Sequence, residues 1–392
     1  MSTTLNTPYR AIFCDLLTDN TIDILPLRDV TVDDYIGKAG SLSGTVPVPN
    51  AEMAARVRRI EEGRTSVYLQ RGTDLWWGGI IWTSTLQSDD QGVLTLGIQA
   101  ATFESYAGRR MIRATTAKYD SSYTLPFADV DQLDIARGLW TDMQTALDGG
   151  NILVTYGTET SGVTRTVTYR DGDETTYQDA LDSLAALKNG FEYHITVYTD
   201  PVTGSRVRRL VLPQSADGDE YDGRIRTGST DLVLDRPGTI LSYSFPRDAT
   251  RGGTTARARG ASTNTDQATE SRPLASDVAA ADQLIGTGKN HAGHPRIDLT
   301  SDHNNITDQD TLDALAKTEL GAATGAVVIP EISIRLDDLV PTALLGRTAR
   351  IRITDEWFAE GLDARYRIIG VKVSPAQRGR PDTAELYLEE AA

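Results

Sequence analysis

Short stretches in which apolar and polar residues alternate, each bounded by turn residues, constrain the fold of this chain more than any other feature. Three of them follow one another between residues 65 and 101, and the turns at 71–74 and 89–92 contain Gly72 and Gly92. A two-residue period places alternate side chains on opposite faces of a sheet, and glycine readily adopts the positive φ angles of tight hairpin turns. The pattern predicts an antiparallel meander, which we expect to form a small barrel.

Helical patterns interrupt the strands. Apolar residues recur at roughly helical spacing over 131–147 and 176–188, and glycines end both patterns; a further helix is predicted over 308–320. The predicted fold class is mainly β with an α+β insertion, with two small, tube-like β-barrel domains. The predicted domains are a first β-barrel over 1–113, an α+β domain over 114–228, and a second β-barrel domain over 229–392 with a loop and helix insertion near 261–325.

The chain also contains a loose internal similarity. In each of two regions, a strand leads into a turn with an aromatic residue, then a strand with an internal glycine, then an alternating strand. The matched parts are 67–69, Trp76, 79–81 and 94–96 in the first region and 351–353, Trp357, 369–371 and 386–388 in the second. Such a match also arises by chance between two meanders. If it reflects a repeat, one subunit carries two similar barrels and three subunits present six in a ring.

The formal net charge of −16 argues against specific DNA binding, because the chain as a whole repels a phosphate backbone. An acidic wall also lets a polyanion slide past without sticking. Composition alone does not decide between that role and simple solubility. For a chain that passes DNA, we expect acidic residues to outnumber basic ones on the channel wall.

The apolar runs, such as residues 78–82, are far shorter than a membrane span, and the N-terminus lacks the pattern of a secretion signal. We therefore expect no stable membrane insertion and folding in a cytoplasm. The single cysteine, Cys14, excludes an intramolecular disulfide and a four-cysteine metal site, and its apolar surroundings predict a buried thiol.

Aromatic and basic clusters are the first candidates for binding. Trp76 and Trp77, with Trp82 nearby, would suit a sugar-stacking platform if exposed. The structural alternative places one ring in the core and the other at a subunit contact, since large aromatics mostly serve burial. The basic segment 206–209, with Arg206, Arg208 and Arg209, favours an intersubunit ion pair over a DNA site in so acidic a chain.

Three of the four histidines, His291, His294 and His303, lie in one polar stretch with Asp298 and Asp302. Imidazole and carboxylate bind zinc or manganese, but this spacing matches no ligand motif. Two interpretations are therefore kept: a metal site, and loop residues that are only solvated.

Other patterns fall short of known motifs. Residues 217–223 depart from a calcium loop at the turn glycine and the distal glutamate, and 286–290 lack the upstream glycine of a phosphate loop. No nucleophile elbow is present. We therefore predict no catalytic, cofactor-binding or metal-binding residues, no cofactor, and no enzymatic activity.

The segment 75–81, followed by an alternating strand and by 103–112, resembles bacteriophage tail-hub (minor tail) proteins. That family typically shows an apolar W-x-G-x-I/L strand and then an aromatic x-S-Y-x-x-R-x-I segment. Residues 40–47 resemble its first barrel, 190–195 its second domain, and 345–351 with 366–373 its closing barrel.

The resemblance implies a homotrimeric hub at the distal end of a tail tube, in which two barrels per subunit match a hexameric ring. It implies a channel that passes DNA and the tape-measure protein. The implied partners are further copies of the chain, the distal tail ring, the tape measure, and tip or fibre proteins. The implied location is the virion tail, with assembly in the bacterial host cytoplasm. Two other functions stay open: a carbohydrate-binding tail adhesin built on the tryptophans, and a cell-wall hydrolase.

Overall fold

The computed structural model describes residues 9–114, 119–145, 149–214, 221–248, 250, 252–262, 272–282, 293–303, 306–323, 327–328, 330–376 and 381–390. The chain forms two compact units, one of Met1–Tyr243 with Ile332–Ala392 and one of Ser244–Glu331. Strands dominate both, so the prediction of a mainly β fold is confirmed.

The strands and helices follow in chain order. The first part contains β1 (Tyr9–Asp15), β2 (Thr21–Leu25), β3 (Arg28–Tyr35), β4 (Ser41–Val48), α1 (Ala51–Val57), β5 (Thr65–Arg71), β6 (Asp74–Ser88), β7 (Leu94–Thr102) and a 3₁₀ helix (Phe103–Arg109). The middle part contains β8 (Thr124–Asp131), α2 (Gln132–Thr145), β9 (Val154–Tyr156), β10 (Thr164–Arg170), α3 (Tyr177–Ala185), β11 (His194–Thr199), β12 (Arg206–Val211), β13 (Thr227–Arg236) and β14 (Ile240–Ser244).

The remaining elements include the whole second unit. They are β15 (Arg247–Asp248), β16 (Thr255–Ser262), β17 (Pro273–Ala275), β18 (Ala279–Ala280), β19 (Asp298–Asp302), α4 (Gln309–Ala323), β20 (Val327–Val328), β21 (Glu331–Arg335), a 3₁₀ helix (Pro341–Ala343), β22 (Arg347–Ile353), β23 (Leu362–Ser374) and β24 (Thr383–Glu390).

One 13-stranded sheet carries strands from both ends of the chain. Its main path runs β14-β21-β24-β23-β3-β4-β7-β6-β5-β1-β2; off this path, β22 pairs with β23, and β13 pairs with β22. Strands β3 and β23 join the two ends through the antiparallel pair Val32 and Val373. In the described part of the chain this path has two open ends, and none of the sheets closes on itself. The prediction of two separate barrels is therefore not confirmed.

A buried ion pair joins the two ends of the chain. Arg71 of β5 contacts the carboxylate of Asp382 at 2.5 Å, and the hydroxyl of Tyr9 donates to the same carboxylate. A second cluster ties the last strands to the middle of the chain, since Arg367 of β23 pairs with Glu389 of the adjacent β24 and with Glu192. Removing one partner would leave a buried charge uncompensated and would destabilise the fold.

The predicted helices are present. The carboxylate of Asp131 accepts from the N–H of Leu133 at 2.9 Å and starts α2, and the Thr176 hydroxyl accepts from the N–H of Asp179 at 3.0 Å and caps α3. Leu139 of α2 belongs to a large apolar core that also contains Tyr68 of β5. The α+β segment thus covers the first meander.

The second unit is built around β16, which pairs with β17, β18 and β19 and packs against α4. It contains the helix of the insertion predicted near 261–325, but residues 263–271 and 283–292 of that insertion lie outside the described residues. The domain boundaries expected after residues 113 and 228 stay predictions. None of the helices in the described ranges is long and apolar enough to cross a bilayer.

Candidate assembly surface

The two adjacent tryptophans are interior residues of the single chain. Trp76 is 4% and Trp77 1% exposed. The Trp76 ring packs edge-on against Tyr9 with centroids 5.3 Å apart, and the Trp77 indole N–H donates to the carbonyl of Asp33 at 3.0 Å. These rings therefore form no exposed sugar platform, and the expectation that one of them sits at a subunit contact is wrong, because residues 75–81 of β6 are buried on both faces.

The basic segment of β12 is neutralised within the chain. Arg206 and Arg208 both contact the carboxylate of Asp19 at 2.8 Å, and Arg209 lies 3.3 Å from Glu159. Arg208 is buried and also donates to the hydroxyl of Tyr68. The predicted intersubunit pair is wrong, because the acidic partners come from distant parts of the same chain.

The histidine stretch does not form a metal site in the part of the chain that the structure describes. The His303 ring nitrogen Nε2 lies 2.9 Å from the carboxylate of Glu319 and 3.1 Å from the hydroxyl of Ser301. Both groups therefore contact the same ring nitrogen. In a catalytic triad the two ring nitrogens contact different partners, so this arrangement is not a triad. His294 is exposed, and His291 lies outside the described residues.

The acidic side chains near these motifs have ordinary partners. Asp298 pairs with Arg296, Asp302 with Arg259, and Asp222 with Arg226. The remainder of the calcium-like stretch, 217–220, and the segment 286–290 lie outside the described residues.

A broad uncharged surface covers one face of β4, β7 and β6. Strand register places Ser43, Gln99 and Thr83 in one row across the three strands, followed by the row Thr45, Gly97 and Thr85 and the row Pro47, Thr95 and Gln87. We call these nine residues the polar face. The opposite side chains of β4, which include Leu42 and Val46, are buried, so the polar face is the solvent side of the sheet.

The polar face is held by contacts between neutral groups. The Thr83 hydroxyl donates to the side-chain carbonyl of Gln99 at 3.1 Å, and the hydroxyls of Ser43 and Thr31 lie 2.7 Å apart. The alternation in the sequence predicted these strands. It did not show that the outward positions of three strands would adjoin and exclude charge.

A second surface feature is an exposed aromatic loop. Residues 354–361 connect β22 to β23 and present Trp357, which is 74% exposed. The carboxylate of Asp355 accepts from the backbone N–H groups of Trp357 and Phe358, each at 3.0 Å. It also accepts from the hydroxyl of Tyr243 at 2.7 Å. The loop is thus tied to the sheet while its indole faces solvent.

Two interior acids lie where the first meander meets β11. Burial raises the pKa of Glu104 to about 7, although its carboxylate accepts from the N–H of Ile195. Burial and the nearby Glu104 carboxyl raise the pKa of Asp34 well above its usual range. Burial also lowers the pKa of His194 to about 4, so that imidazole is neutral at physiological pH. The predicted burial of Cys14 is confirmed, and burial raises its pKa.

Comparison with known proteins gives no sequence match and clear structural ones. No protein-family model and no curated protein matches the sequence. The 43 kDa tail protein of prophage MuSo2 from Shewanella oneidensis superposes with a TM-score of 0.59 at 11% identity, over 97% of this chain and 98% of that chain. The tail protein from Neisseria meningitidis MC58 gives 0.57 at 13% identity, over 97% and 96%. A PdpA–VgrG complex gives 0.52 at 9% identity, over 100% of this chain and 66% of that chain.

The chain therefore has the fold of phage tail proteins over nearly its whole length. The resemblance predicted from the sequence is confirmed at the level of the fold.

Proposed function

We propose that this protein is a structural subunit of a phage-type tail. It forms a homotrimeric hub at the distal end of the tail tube, through which DNA and the tape-measure protein pass. The observation that carries the proposal is the shared fold, which extends over almost all of this chain and of two tail proteins. The absence of enzymatic activity and of a cofactor stays a prediction.

The polar face supplies a physical reason for the channel role. Duplex DNA is retained where lysine and arginine displace the counterions of its phosphates, and the polar face presents hydroxyl and amide groups without either residue. Such groups exchange hydrogen bonds with water and hold a moving polymer weakly. In this proposal the passage is lined by an uncharged wall, which takes the place of the acidic wall expected from the net charge.

The two meanders β5-β6-β7 and β22-β23-β24 support the symmetry of the proposed hub. Each is a run of three consecutive antiparallel strands in the same sheet. Two similar meanders per subunit give a trimer six similar elements, which is the number needed to meet a hexameric ring. The proposed neighbours are the distal tail ring, the tape measure and tip or fibre proteins, in a virion tail assembled in the bacterial cytoplasm.

The adhesin alternative lacks its structural basis, because both Trp76 and Trp77 are buried in the single chain. The test of the hub is the mass in solution, measured by light scattering after size exclusion, for the chain alone and mixed with the neighbouring tail proteins. We expect a trimer, or a monomer that enters a ring with its neighbours. A monomer that ignores them and binds host cell-wall sugar would overturn the proposal.

A further inference from the structure

We propose that the exposed aromatic loop of one copy docks on a basic aromatic patch of a second copy. The inference rests on the proposed function, because it assigns surfaces to the self-association of the hub. The Trp357 loop is residues 354–361. The Arg109 patch consists of Trp82, Tyr106, Arg109, Arg110 and Met111, which surround the end of the 3₁₀ helix Phe103–Arg109.

The Trp357 loop has the chemistry of an interface anchor with an acidic rim. Trp357 leaves most of its indole in solvent, and exposed Glu356 and Glu360 flank it in the chain. Tryptophan is enriched among residues that dominate binding energy. Since Asp355 and Tyr243 already fix the loop, docking costs little further ordering of the backbone.

The Arg109 patch has the opposite charge and a matching aromatic surface. The guanidinium of Arg109 lies over the Trp82 ring at 5.5 Å, and that of Arg110 over the Tyr106 ring at 5.6 Å. Arg110 also donates to the Tyr106 hydroxyl at 2.9 Å. Met111 beside them is 41% exposed.

Charge balance sets this patch apart from the basic segment on β12. Neither Arg109 nor Arg110 has a carboxylate partner within the described ranges, whereas Arg206, Arg208 and Arg209 are all paired. On a chain of net charge −16, two arginines without a carboxylate partner in the described part of the chain attract acidic surfaces of other copies.

The contact has to be made between copies. Both surfaces belong to the first compact unit, yet in the single chain Trp357 is exposed, and the two arginines have no carboxylate partner among the residues that the structure describes. Because the loop and the patch are different surfaces, each copy offers one of each, and the proposed contact is head-to-tail. A head-to-tail contact closes into a ring when its rotation closes, which is the assembly that the hub requires.

The test is a charge swap in the full chain, under the conditions in which the wild type assembles. We expect Arg109→Glu with Arg110→Glu, and separately Glu356→Arg with Glu360→Arg, each to raise the protein concentration needed for assembly at least about tenfold. Combining all four substitutions should restore assembly, which general damage to the fold would not. The control, Arg28→Glu with Arg58→Glu, makes the same change in net charge at two exposed positions elsewhere and should assemble normally.

Mass by light scattering and thermal melting by circular dichroism separate the outcomes. Folded swap variants that keep the wild-type assembly overturn this docking while leaving the hub intact. Loss of DNA retention in the Arg109→Glu, Arg110→Glu variant with unchanged mass would also overturn it, since the patch would then serve phosphate. A wild type that stays monomeric with all its neighbours would instead overturn the proposed function.

Discussion

The first and last meanders of the chain have the same strand order, yet they place their aromatic turn residue in opposite environments. In the first, Gly72 and Thr73 alone join β5 to β6, and Trp76 is buried against Tyr9. In the last, residues 354–361 join β22 to β23, and Trp357 faces solvent. A tight turn keeps the tryptophan on the strand, whereas a long loop moves it off the sheet. The same strand order thus buries a tryptophan in the first meander and exposes one in the last.

The glycine inside the middle strand is the feature that the two meanders share most closely. A Cβ on Gly79 would lie 2.2 Å from the carbonyl oxygen of Ala101 and 2.4 Å from the Trp77 ring, and a Cβ on Gly370 would lie 2.5 Å from the Tyr35 ring. All three distances are far below ordinary contact. In each meander the missing side chain makes room for an aromatic ring, and in the first it also lets the backbone of β7 approach. This gives the internal similarity seen in the sequence a physical reason.

Truncating the two tryptophans gives the largest contrast. Trp76→Ala should lower the free energy of unfolding by about 3–5 kcal/mol, because it removes a buried indole and leaves a cavity. Trp357→Ala should change it by less than about 0.5 kcal/mol, since its side chain has few neighbours to lose. Urea unfolding measures both, at a concentration where the variants have equal mass in solution so that assembly does not contribute. Equal losses would show that the meanders do not differ as described.

The two meanders also differ in the ionisable side chains that they bury. Arg367 in β23 is buried beside two carboxylates, whereas Glu104, directly after β7, is a buried acid whose pKa is raised to about 7. An unfolded glutamate titrates near 4.3. The Glu104 carboxyl is therefore protonated more readily in the fold. Its stabilising contribution is complete at low pH and is lost as the pH rises from about 4.3 to about 7.

Glu104→Gln should remove this loss of stability at rising pH, because a glutamine stays neutral and keeps an oxygen that accepts from the Ile195 N–H. Between pH 5 and pH 8, the free energy of unfolding of the variant should therefore rise by roughly 2 kcal/mol relative to that of the wild type. Urea unfolding across this pH range measures the gain. The exposed Glu52→Gln serves as the control and should follow the wild type. A Glu104→Gln curve parallel to the wild-type curve would show that Glu104 ionises freely in the fold.

The two meanders also show which features of the fold can be predicted from the sequence. Alternation and turn glycines located β5, β6 and β7 and the helices, because those signals are local. The pairing of Val32 with Val373 is not local, and it merges the two predicted barrels into one sheet. Arg208 likewise finds Asp19 across 189 positions of sequence. Burial of Trp76 and Trp77 depends on what covers both faces of β6, which no pattern within β6 records.

The smallest expected effect on stability concerns the outward faces of the meanders. The last meander carries the exposed pairs Arg350–Asp363 and Lys372–Glu385, whereas the polar face on the first carries no charge. Thr85→Lys should change the free energy of unfolding by less than about 1 kcal/mol, because the side chain is exposed.

Thr85→Lys should nevertheless give the chain a measurable, salt-dependent affinity for short duplex DNA, since none of the nine residues of the polar face is acidic and Asp29, at the edge of this face, is the carboxylate that lines the same depression. Ser374→Lys adds the same charge on β23 of the last meander, where the carboxylate of Glu385 lies on the adjacent strand, and it should bind less. Fluorescence anisotropy over a salt series measures both variants. A wild-type chain that already retains DNA, or equal gains from the two lysines, would contradict an uncharged wall. Weak retention by the wild type with a gain only at Thr85 would show that the neutrality of this face, rather than the net charge of the chain, keeps DNA from sticking.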